Sequence, residues 1–143
     1  MTHVTLNHPK LTLPGAEAAL AGAKSHANQI GVPMNIAIVD DGGHLIAFAR
    51  MDGAKLSSVD IAITKAHAAA IRRQDTGPVR SGEDVNAVLS LGLAIASRAQ
   101  QTPIRGGLTL EANGECVGAI GVSAGTEDQD VEVARAGVAA FGS

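Results

Sequence analysis

The segment LTLEANGECVGAIGVS, residues 108–123, limits the fold more than any other stretch of this chain. Two apolar runs flank Asn113-Gly114, the dipeptide favoured where two strands are joined by a two-residue turn. Strands joined so tightly are antiparallel neighbours, since a parallel pair needs a long crossover, usually a helix. A second hairpin is written into residues 34–50. There Met34, Ile36 and Ile38 alternate with Asn35, Ala37 and Val39, and DDGG separates that run from HLIAFAR.

Helical signals surround the hairpins. Thr12 caps a helix that tolerates Pro14 in its first turn, carries Leu13, Ala16, Leu20, Ala23, Ala27 and Ile30 on one side, and stops at Gly31. Ser57 with Asp60 predicts a second helix from about Ser58 to Arg73, and Ser81 with Asp84 a third near 82–99. The inward face of that third helix should be Val85, Val88, Leu89, Ile95 and Ala96. Between these two, QDTGPVRSGED is a polar loop of the kind that borders sites. Thr126 with Gln129 is a capping box, and Glu127, Asp128 and Asp130 load the first turn of a last helix ending before Gly142. The order is α-β-β-α-α-β-β-α, with room for a short extra strand at Pro103 to Arg105. This predicts an α+β domain spanning residues 1–143, with an antiparallel sheet of roughly four to five strands flanked by helices.

With 143 residues, 45% of them hydrophobic but with two Phe, no Trp and no Tyr, the core must be built from Ala, Val, Ile and Leu. A net charge of −3, no basic run and few rings for stacking argue against nucleic acid as a partner. MTHVTLNHPK has no apolar leader region and no run reaches the roughly 18 apolar residues of a membrane span, so the chain reads as cytoplasmic, without a membrane partner. Cys116, the only cysteine, falls in an apolar strand pattern and reads as a buried inert thiol.

Standard catalytic signatures are absent: there is no HExxH, CxxC or GxSxG. VSAGTEDQD has the outline of a phosphate loop, but its three carboxylates would repel an anion, so it reads as a capped helix start. His3, His8, His26, His44 and His67 form no spaced metal motif. Lys65 stands out because Ile61, Ala62, Ala66 and Ala69 surround it on the apolar stripe of the second helix. Either its head snorkels to water, or it points into a cavity and meets a carboxylate, Asp52 being the leading partner because it lies in the turn entering that helix. Arg105 before Gly106-Gly107 is a second binding candidate, a guanidinium beside backbone that can approach a ligand closely.

DDGGHLIAFARMDGA, SVDIAITKAHAAA, PIRGGLTLEANGECVGAIGVSAGTEDQD and the following ARAG resemble, in that order, the signature blocks of the GlcG/HbpS-like haem-binding family, which includes the C-terminal domain of PduO-type proteins. The resemblance implies a profilin-like fold, assembly into a symmetric homo-oligomer, and haem or another flat carboxylated ligand as cofactor. Carried over by block, Arg50, Met51 and Asp52 match the family's RMD, Lys65 and Ala66 its KA, and Arg105, Gly106 and Gly107 the segment before its glycine-rich hairpin. These positions are expected to meet in a pocket at an oligomer interface. His26 and His67, the two helix-borne histidines, are the candidate axial ligands. The Glu-x-x-Glu pairs that hold iron in some secreted relatives are missing; Glu127 with Asp130 comes nearest. Three functions stay open: a haem or tetrapyrrole binder accessory to a catabolic pathway, a small enzyme on an organic acid with Lys65 as base or electrostatic clamp, and a scaffold without small-molecule chemistry.

Overall fold

The computed structural model describes residues 3–142; Met1, Thr2 and Ser143 of the expected domain lie outside them. The elements are α1 (Leu13–Ile30), β1 (Asn35–Asp40), β2 (Leu45–Arg50), a 3-10 turn (Leu56–Ser58), α2 (Val59–Arg72), β3 (Arg80–Ser81), β4 (Asp84–Val85), α3 (Ala87–Ala96), β5 (Gly107–Ala112), β6 (Glu115–Ser123) and α4 (Glu127–Phe141). The main sheet is antiparallel, in the order β2-β1-β6-β5, with the two predicted hairpins at its sides.

Strand alternation sorts side chains onto two faces with different partners. Met34, Ile36, Ile38, Leu108, Leu110, Ile120 and Val122 meet Ala16, Ala19, Ala23 and Ala27 of α1 and Val133 and Ala134 of α4. Ala37, Val39 and Ala119 on the other face meet Ala62, Ala66, Ala69 and Ala70 of α2. The sheet is thus sandwiched between helices, and small residues set the spacing. Gly107 and Gly121 are cross-strand partners beneath α2. A Cβ on Gly121 would collide with the Ala62 carbonyl and the Ala66 amide, and one on Gly107 with the Lys65 carbonyl. Backbone lies on backbone here, which is how a core with two aromatic rings fills its space.

Local signals hold at most element ends. The Thr12 hydroxyl accepts from Gly15 N at 3.1 Å, and α1 closes on Gly31 at φ 69°. The Thr126–Gln129 box is formed in both directions. Asn113 and Gly114, at φ 54° and 79°, make the two-residue turn.

Three expectations fail. α2 takes no side-chain cap: the 3-10 turn winds directly into it, and Ser58 N donates to Lys55 O instead. Ser81 and Asp84 do not open a helix either. They pair across Gly82 (φ 66°) as the β3–β4 hairpin, and α3 begins later, capped by Asn86 Oδ1 accepting from Leu89 N at 2.9 Å. No strand forms at residues 103–105.

The face of α3 is also reversed from expectation. Val88 is 84% and Ile95 79% exposed, and Leu91, Leu89 and Val85 are exposed as well. The residue α3 buries is Ser90, whose hydroxyl donates to Asn86 O and accepts from Val79 N. AVLSLGLAIA has no charged residue to mark a solvent side, so its periodicity carries no orientation, and a polar anchor sets it.

Candidate functional site

The sequence-predicted ligand-binding residues Arg50, Asp52, Lys65 and Arg105–Gly107 gather at one end of the sheet, whereas His67 lies at the other, against Gly43 in the β1–β2 turn. Arg50 pairs in register with Asn35, and Asn35 with Ser123; one residue on, Val122 N donates to Gly106 O at 3.0 Å. The Arg50–Asp52 turn and the Arg105–Gly107 bend therefore share an end but occupy opposite edges, about 14 Å apart across three strand spacings.

At the β2 edge, Arg50, Met51 and Asp52 form the wall of a cleft of about 560 Å³, completed by Lys24, Ala27, Asn28, Val32, Pro33 and Ala49. Lys24 and Arg50 give it two cations and Asp52 one acid, so the surface it exposes is more polar than apolar, with Val32, Pro33 and Ala49 as its aliphatic part. The Met51 thioether lies part-buried there, accepting weakly from Met34 N at 3.4 Å.

At the β5 edge, Arg105 Nη1 holds Asp128 Oδ1 at 2.8 Å on the surface. Gly106 adopts φ 124°, and Gly107 N donates to Thr76 Oγ1 at 2.9 Å. The polar loop thus borders this edge as well, Thr109 N donating to Asp75.

Lys65 lies between the two edges and is 1% exposed. Its ammonium donates to Asp130 Oδ2 at 2.9 Å and Val122 O at 2.8 Å, and Gly125 N donates to the other Asp130 oxygen at 3.0 Å. The expectation of a carboxylate partner is met, but by Asp130 rather than Asp52, because the side chain runs under α2 to the head of α4 instead of back towards the 51–54 turn. Burial pushes the Asp130 carboxyl above the ordinary carboxylate range, outweighing the opposite pull of the ammonium and the Gly125 N–H. Sequence reasoning missed Asp130 by reading it as a helix-dipole charge. The available signal was spacing: Asp130, Ala134 and Gly137 form a buried i, i+4, i+7 stripe, so α4 carries an acid on its apolar face as α2 carries a base.

Both histidine candidates already have partners away from the cleft. His26 Nε2 meets Glu132 Oε2 at 2.9 Å. His67 Nδ1 meets Gly43 O at 3.0 Å, and its Nε2 meets Gln100 Oε1 at 3.3 Å. Asn35 is fully buried; its Nδ2 donates to Lys55 O, and its Oδ1 has no hydrogen-bond partner. Cys116, expected buried, is half-buried on β6 and donates to Gly118 O. Among the described residues no group of His, Cys, Asp and Glu is placed to hold a metal ion, and no helix is long and apolar enough to cross a membrane.

The family model described as haem-degrading protein HbpS-like matches residues 11–139. The chain belongs to this family. It is 34% identical over 131 residues to an uncharacterized 15.0 kDa protein of Citrobacter freundii from the dhaT-dhaS intergenic region, covering 92% of both chains. Among solved structures, ORFY of Klebsiella pneumoniae superimposes with a TM-score of 0.88 at 29% identity, over 100% of this chain and 98% of that one. The PduOC:haem complex follows with a TM-score of 0.81 at 27% identity, over 92% and 95%. The HbpS-like fold, with its four-stranded antiparallel sheet and flanking helices, is thereby the fold of this protein.

Proposed function

We propose that this protein is an oligomeric binder of haem or a related flat carboxylated ligand, accessory to other enzymes. The observation that carries the reading is the cleft of about 560 Å³ at Arg50, Met51 and Asp52, where the family motif brings two cations beside Val32, Pro33 and Ala49. A haem complex of a similar fold supports it.

Haem fits these residues. Lys24 and Arg50 would take the propionates, Val32, Pro33 and Ala49 would cover the ring, and Met51 offers a thioether of the kind that ligates iron elsewhere. Bound haem would supply a redox-active iron at this cleft. The Arg105–Gly107 bend lies too far across its own sheet to reach this cleft, so in this reading it closes the cleft of a second copy. Lys65, with Asp130 and Val122 as partners, serves the framework that holds both edges, which weighs against a role as catalytic base. His26 and His67 enter as iron ligands only by leaving their present partners.

Titrating haem into the protein at micromolar concentration tests the proposal. Wild type should give a saturable Soret shift, and Arg50→Ala and Lys24→Ala should each weaken binding about tenfold, as loss of a charge-assisted contact predicts. Met51→Ala should move the band, while His26→Ala and His67→Ala should not. An unshifted Soret band, or affinity indifferent to both cation replacements, overturns this site.

A further inference from the structure

Residues 3–12, ahead of α1, cross the far end of the sheet without regular secondary structure. Leu11 seats against the core, and Lys10 and His8 carry charge out over the two hairpin turns. His8 Nε2 lies 2.8 Å from Asp41 Oδ2 in the β1–β2 turn, and His8 Nδ1 lies 3.2 Å from Glu115 Oε2, the first residue of β6. Lys10 Nζ reaches both oxygens of Asp41 at 3.1 Å.

The ring chemistry decides what this arrangement requires. A neutral imidazole has one N–H and one lone pair, so with a carboxylate on each nitrogen one contact sets lone pair against anion. The imidazolium donates to Asp41 and attracts Glu115 by charge. Its surroundings match: Glu111, Glu115, Arg73 and Cys116 line one cleft of about 290 Å³ with His8, and Asp41 and Lys10 complete the group. Three acids thus face two bases, and Arg73 already serves the carbonyls of Asp41 and Ala70. A protonated His8 evens the balance.

We propose that His8 is a pH-operated latch, holding the segment before Lys10 across both hairpin turns when protonated and releasing one carboxylate, and with it the cleft at Cys116, when neutral. Lys10 stays on Asp41 in either state, so the loosening is confined to residues preceding it. The low titration of Asp41 agrees: burial works against it, but His8, Lys10 and a backbone donor hold the carboxyl below the ordinary range.

A nitroxide on Thr5→Cys in a Cys116→Ser background reads the latch in the full chain, whatever its assembly state. Between pH 5.5 and pH 8, the span in which imidazoles change charge, the ratio of mobile to immobile signal should rise by up to about fivefold, the worth of an exposed ion pair. His8→Gln should be mobile at both pH values. Glu115→Gln should be immobile at both, because a neutral imidazole can donate to Asp41 while accepting from the new amide. A purely structural contact would not give that opposite pair of responses. Line shapes identical at the two pH values in the parent, or a Glu115→Gln protein that still loosens at pH 8, overturn the latch.

Discussion

Removing the Lys65 ammonium alone should be far worse than removing the whole ion pair. Both groups are almost fully buried, at 1% and 4% side-chain exposure, so each depends on the other. Lys65→Met leaves an acid in the interior with the Gly125 N–H as its remaining partner, and Asp130→Leu leaves an ammonium on the Val122 carbonyl. Breaking a buried pair from one side costs about 3–5 kcal/mol. The double replacement removes both desolvation penalties, worth about 1–4 kcal/mol, but strands the Val122 carbonyl and the Gly125 N–H, at about 1–3 kcal/mol each. These terms nearly cancel, so the double variant should lie within about 2 kcal/mol of wild type, a coupling above about 3 kcal/mol. Urea unfolding at one fixed protomer concentration measures it, reading midpoints with m unchanged. There is a pH arm as well. A carboxyl whose folded pKa is raised binds protons more tightly in the native state, so stability falls as pH climbs from the unfolded value of 3.8 through the raised one, then levels. Asp130→Asn should lose that descent. Additive single costs, with coupling below about 1 kcal/mol, would refute the reasoning.

The exposed face of α3 gives a second expectation: if it is the surface through which copies associate, Val88→Asp with Ile95→Asp should lower the mass seen by light scattering without unfolding the chain, since neither side chain is buried. Gly121→Ala should destabilise by about 1–3 kcal/mol or more in the same urea assay, because the obstacle is the α2 backbone and not a side chain that can move. Asp41 runs opposite to Asp130. Its lowered pKa means the native state binds fewer protons, so its contribution is complete above 3.8 and fades as pH falls through the folded value; Asp41→Asn should flatten that acid limb of the stability profile.

Much of the fold was legible because the informative residues act locally. Thr12, Gly31, Asn113-Gly114 and the Thr126–Gln129 box each fix a few backbone angles or donors within a few residues of themselves, and each appears as read. Ser81 and Asp84 show where the same logic fails. A Ser and an acid three apart suit a cap, but Gly82 at φ 66° gives the chain a turn first, and the turn wins because it also satisfies the strand ladder between Arg80 and Val85. α3 shows a different failure. Sequence assigns a buried side by contrast between apolar and polar faces, and a helix without contrast leaves nothing to compare.

The site divides along the same line. That Lys65 needs an acid follows from its stripe alone, since an unpaired buried ammonium is too costly. Which acid answers depends on where α4 crosses the sheet, and no local pattern records that. Choosing Asp52 weighted nearness in sequence, 13 positions, over Asp130 at 65. The better rule weighs burial against burial: Asp52 sits in an exposed turn, where water already solvates its charge, while Asp130 shares a stripe with Ala134 and Gly137 and has as much need of a partner as the lysine. Two opposite charges that each lie on an apolar stripe are partners for energetic reasons, whatever their distance along the chain. Applied to the proposed ligand cleft, the same rule separates Arg50 from Lys65: a cation on offer to a ligand should be an exposed one, such as Arg50 on the rim of the cleft, and the buried one belongs to the frame.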